Sequence, residues 1–80
     1  MYKAVVERRW ELVSSFTVSK RIFKTQQWAL LYATWMAFFE EIKLSDTNNR
    51  KDYIHCGLFY YAMLEKNADK LYEKYNVNYY

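Results

Sequence analysis

His55 and Cys56 stand side by side, and a thiol next to an imidazole is the pair from which a thiolate nucleophile can be made. They are the single histidine and the single cysteine of the chain. In the helix that the surrounding pattern predicts, neighbouring side chains diverge by about 100°. The two therefore cannot pass a proton productively, and no second base or oxyanion arrangement accompanies them. The expectation is a semi-buried cysteine beside a surface histidine, and no enzyme. One His and one Cys also fall short of a zinc-binding set, and one Cys forms no intrachain disulfide. With one glycine and no proline, few positions are left for a phosphate-cradling loop or a strained catalytic turn. No cofactor and no metal are expected.

Charge offers a second kind of chemistry. The first 25 residues carry a net +4 and the remaining 55 a net −1. Arg8, Arg9, Lys20 and Arg21, with Lys24 close by, fall on or beside the same predicted hairpin. Such a group suits either an acidic protein surface or a phosphate backbone. For nucleic acid, Trp10 and Phe16 are the available stacking groups. Against that use stand a net charge of only +3 and the lack of any RNP-type motif.

Aromatic surface is the third resource. Three Trp, nine Tyr and five Phe in 80 residues are more than one small globule easily encloses. Phe59 and Met63 line up with Cys56 at i, i+3 and i+7 of a predicted helix, and Tyr53 and Tyr60 sit beside them. This mixture of aromatic and thioether groups is what protein interfaces enrich. It reads equally as a second layer of core. Tyr53, Phe59, Tyr60 and Met63 are the expected partner-binding residues.

The elements that must position these groups follow from periodicity. Over residues 2–23 the even positions are mostly apolar and the odd ones mostly polar, the pattern of half-buried antiparallel strands. A three-residue turn at Val13-Ser14-Ser15 would pair Leu12 with Phe16, Trp10 with Val18 and Val6 with Ile22, and would set Arg8 against Lys20. A turn at Glu7-Arg8-Arg9, giving a three-stranded meander, is the alternative. Thr25 suits an N-cap, and a helix is predicted over about 26–43. On it Trp28, Leu31, Tyr32, Trp35, Phe38, Phe39 and Ile42 share one face. Ala29, Ala33 and Ala37 form a second, narrow ridge that would let another helix approach. A polar connection precedes a second, long helix over about 49–75. There Ile54, Tyr61, Ala68 and Tyr75 recur every seven residues, joined by Gly57, Leu64 and Leu71. Residues 76–80 are expected to fray.

The predicted whole is a single α+β domain spanning residues 1–80. A β-hairpin or meander is followed by two antiparallel helices, the first buried between the sheet and the second. The uncharged stretch from Trp28 to Phe39 is too short for the ~20 residues a bilayer core needs. The first residues show no long apolar run of the secretory kind. A soluble, cytoplasmic protein is expected, with no membrane partner. The function expected is that of a small protein-binding module. In compactness and aromatic excess it resembles phage- or mobile-element-encoded inhibitors, which occlude a host macromolecule sterically. A nucleic-acid-binding accessory protein and a structural homodimer are the two alternatives.

Overall fold

The computed structural model describes residues 1–10, 13–46 and 56–80. Its elements are β1 (Tyr2–Trp10), β2 (Val13–Val18), α1 (Gln26–Asp46), β3 (Cys56–Leu64), α2 (Glu65–Lys74) and β4 (Val77–Tyr79). The protein is α+β, with one four-stranded sheet in the order β3-β1-β2-β4. The sheet is mixed: β1 pairs antiparallel with β2 and β3, whereas β4 lies parallel to β2.

The hairpin forms where alternation predicts strands, but in a different register. Trp10 pairs directly with Val13, Val6 with Thr17, and Val5 with Val18. The odd sum of each pair means that even residues of β1 share a face with odd residues of β2. The three-residue turn, with its Trp10–Val18 and Val6–Ile22 pairs, is therefore overturned, and so is the meander, because β1 runs unbroken through Arg8 and Arg9. Arg8 faces Ser15 rather than Lys20, so the like-charge conflict of the expected pairing does not arise. Beyond β2 the pairing continues through Ser19. Its N–H donates to the Ala4 carbonyl at 2.9 Å, and its hydroxyl accepts from the Ala4 N–H at 3.0 Å. Tyr2 and Phe23 then close an isolated bridge.

Thr25 caps α1 as expected, its hydroxyl accepting the Trp28 N–H at 3.3 Å. The long second helix is corrected. Its described part is a strand and a ten-residue helix, and a further strand follows beyond it. From Cys56 to Leu64 the chain carries apolar side chains on both sides: Leu58 packs toward α1, Tyr61 and Met63 toward α2, and Phe59, Tyr60 and Leu64 are exposed. Such a strand shows no alternation and cannot be told from a buried helix by period alone. Phe59, Tyr60 and Tyr61 favour a strand, and Gly57 disfavours a helix. The seven-residue spacing was sound only within α2, which buries Ala68 and packs Leu71 and Tyr72. Glu65 in its first turn and Lys74 in its last suit the helix dipole.

Residues 76–80 are held rather than frayed. Phe16 donates to the Asn76 carbonyl, Tyr80 to that of Val18, and Lys20 to that of Tyr80. Tyr79 stacks on Tyr72 of α2 at 5.4 Å, whereas Tyr80 meets Tyr32 and Phe39 of α1. Consecutive strand residues point to opposite faces, so these two tyrosines grip both layers.

The helices lie on opposite faces of the sheet and do not sandwich one another. Ala4 and Val6 pack with Ala33, Met36 and Ala37 of α1. Val5, Phe16 and Val18 pack with Ala68 of α2. α1 thus meets the sheet by its alanine ridge: Ala29, Ala33 and Met36 are fully buried. Of the aromatic stripe expected to form the core, Tyr32 packs beside it, half-buried, and Trp28, Leu31, Trp35, Phe38, Phe39 and Ile42 are exposed.

This orientation predicts a sharp contrast between two neighbouring substitutions. Ala33→Leu should destabilise by about 1–3 kcal/mol through overpacking. Leu30→Ala, on the exposed side, should stay within about 1 kcal/mol. Urea unfolding of both variants reads the difference. A near-neutral Ala33→Leu would mean that the ridge does not face the sheet.

Candidate interaction surface

The outer face of α1 is built by the requirement that only small residues fit beneath it. With Ala29, Ala33 and Ala37 against the sheet, the 3.6-residue period sends Trp28, Leu31, Trp35, Phe38 and Ile42 to the opposite side. Trp28 is 63% exposed, Trp35 58% and Phe38 55%, with Leu31, Phe39 and Ile42 also exposed. Phe39 bridges Trp35, Phe38 and the terminal Tyr80 ring at centroid distances near 6 Å. At the start of the helix, Arg21, Ile22 and Lys24 rise beside Trp28, Leu31 and Trp35. Together they line an open groove of about 530 Å³. A smaller depression of about 390 Å³ lies between Phe38 and Glu41 on α1 and Leu58 and Tyr60 on β3.

Polar contacts of Glu40 fasten α1 to the sheet. Glu40 is buried, receives the Thr17 hydroxyl at 3.4 Å and lies 3.5 Å from Arg8 Nη1. Arg8 Nε also donates to the Ser15 hydroxyl. Arg8 is thus committed to the underside of α1. Arg9 points to the other face of β1, where it pairs with Glu7 at 3.1 Å and lies over the Phe59 ring at 5.1 Å. Lys20 and Arg21 are exposed beyond the end of β2, beside the start of β1. Six or seven strand residues, about 20 Å, separate them from Arg8 and Arg9. The structure therefore divides the four expected cations among three places. Of the four, Arg21 lines the groove on the aromatic face.

The expected aromatic patch is divided too. Tyr53 lies outside the described residues, as does His55. Phe59 and Met63 lie on the α2 side of β3, Met63 half-buried against the core and Phe59 over the Gly57 backbone. Tyr60 lies on the α1 side, at the rim of the smaller depression. Residues grouped by a helical period are separated by a strand's alternation. Beside them, burial pushes the Tyr61 phenol above its ordinary value of 10.0, with Glu7 adding to the rise and Arg9 opposing it.

The outer face of α1 is what sequence reasoning missed, although its signal was present. The alanine ridge was recognised as a close-packing surface but assigned to a helix, when the partner was the sheet. Among the described residues no group of three or more His, Cys, Asp or Glu is placed to hold a metal ion. No described helix is long and apolar enough to cross a membrane. No protein family, curated protein or solved structure matches the chain.

Two outcomes follow from these contacts. Arg8→Met keeps the aliphatic stem but leaves the Glu40 carboxylate buried without its cation. It should cost about 2 kcal/mol in urea unfolding. Adding Glu40→Gln should recover part of that loss, and a neutral Arg8→Met would remove the ion pair from any account of how α1 is held. Tyr61 sets an alkaline limit. Its phenol is neutral in both states below the unfolded value, and above it the unfolded chain ionises first. Stability is therefore lost as pH rises through the higher folded value. Tyr61→Phe should flatten the fall in stability between about pH 9.5 and 11 relative to the parent. Identical slopes would show that this phenol ionises alike in both states.

Proposed function

We propose that this chain is a small non-enzymatic protein-binding module whose working surface is the outer face of α1. The observation that carries the reading is the apolar exposure of that face. Trp28, Leu31, Trp35, Phe38, Phe39 and Ile42 lie exposed side by side along it, each at least 40% accessible, a contiguous apolar patch of the kind that marks an interaction site. Its composition is that of an interface core, rich in Trp and Phe and free of charge from Thr25 to Phe39. Such anchors act by being desolvated in a partner's pockets. A bound partner would be occluded sterically, as by an inhibitor or modulator of the phage-encoded kind. Lys20, Arg21 and Lys24 at one end would speed association with a surface that is acidic there. The lone cysteine suits a reducing, cytoplasmic setting.

The test uses immobilised protein and Trp28→Ser/Trp35→Ser beside it, both checked for unchanged thermal unfolding. They are offered a lysate of the native host and an untagged copy of the chain itself. The parent should retain at least one protein in stoichiometric amount, and the double variant should lose it. If the variant keeps the same proteins, or the parent retains none, the outer face of α1 is not a binding surface.

A further inference from the structure

The spacing of the exposed residues on α1 narrows the chemistry of the partner. Trp28, Leu31, Trp35, Phe38 and Ile42 follow one another at steps of three, four, three and four. That is the seam of a helix that packs along another helix, knobs into holes. The seam covers about 21 Å of helix axis. Its two ends differ in charge. Lys20, Arg21 and Lys24 precede it and Glu41 follows Phe39, whereas Glu40 is turned beneath the helix to Arg8; no charge lies between Lys24 and Glu40. Glu41 and Lys24 are both exposed.

We infer that the partner is a second copy of this chain, seated with its α1 antiparallel to the first across a two-fold axis. This rests on the reading of α1 as a binding face and names what binds there. In an antiparallel pair, Leu31 of one copy faces Trp35 of the other, and Trp28 faces Phe38. Phe38 of each copy then enters the groove lined by Trp28, Leu31 and Trp35. The same register brings Lys24 and Arg21 of one copy to Glu41 of the other, twice over. A single patch is thereby complementary to itself, which is what a closed two-fold interface requires. A parallel pair would set like charges together at both ends. An anionic membrane would attract one end of the seam and repel the other.

The experiment is light scattering of the purified protein, from about 1 to 200 µM, spanning the affinities usual for weaker interfaces. The parent should reach twice 9.9 kDa. Trp35→Glu should remain at the single-chain mass. Because Trp35 is exposed, its circular dichroism and thermal unfolding should stay close to those of the parent at low concentration. Lys24→Glu and Glu41→Lys should each raise the dimer dissociation constant about fivefold at low salt. The double variant Lys24→Glu/Glu41→Lys should restore it. That rescue is specific to the antiparallel register and touches nothing in the core. A parent that stays at single-chain mass throughout overturns the inference, as does a dimer that Trp35→Glu leaves intact. So does a charge exchange without rescue. If the parent is monomeric but still retains another protein through Trp28 and Trp35, this inference fails while the wider reading of α1 stands.

Discussion

The close approach of α1 to the sheet governs most of what this molecule shows. Ala33 and Ala37 lie over Ala4 and Val6, where small side chains meet small side chains. A helix that settles so near a sheet cannot keep its large residues underneath. Trp28, Trp35 and Phe38 are outward-facing because of this, and the groove beside Arg21 and Lys24 exists for the same reason. Glu40 could reach Arg8 and Thr17 only from a helix held this close. The ion pair is the polar counterpart of the alanine contact.

β1 is the spine on which both layers rest. Ala4, Val5 and Val6 are consecutive and all fully buried, which a strand achieves only when each face of its sheet is covered. α1 covers one face and α2 the other. A chain of 80 residues that builds two thin cores, rather than a single thick one, has few places to enclose a Trp. Its burial is carried by Ala, Val and Met, while much of its aromatic surface is left at the periphery. The aromatic excess of the composition and the modest residues of the core are two sides of one arrangement.

Much of the first half was legible in the sequence. Alternation marks β1 and β2, Thr25 marks the start of α1, and the period of α1 is plain. Which side of α1 faces inward was not legible, because both sides are apolar and hydropathy alone ranks the larger stripe as the core. Size decides instead, through the ridge that lets the backbone come near. The register of the hairpin was lost to an assumption that even residues stay together across the turn. β3 was hidden because a strand apolar on both faces has no polar period, and a heptad continuing from α2 ran through it by coincidence. β4 is three residues long, and its parallel place beside β2 depends on partners distant in sequence, which no local pattern records. The basic and aromatic sites inferred from sequence were scattered for a related reason. Their grouping assumed one period where the fold uses another.

The strand order also fixes when the molecule can exist. β1 is made first, yet Tyr2 waits for Leu64 and Trp10 for Cys56 before its second edge is closed. β2 likewise gains β4 only from Val77–Tyr79, far along the chain. A ribosome that has released β1, β2 and α1 has therefore delivered a hairpin and a helix whose sheet is open on both sides. Such a half bears unpaired strand edges and an exposed aromatic helix at once, the combination most prone to wrong pairing. Folding by nascent segments gains this chain little. It becomes itself only when β3 and β4 have emerged.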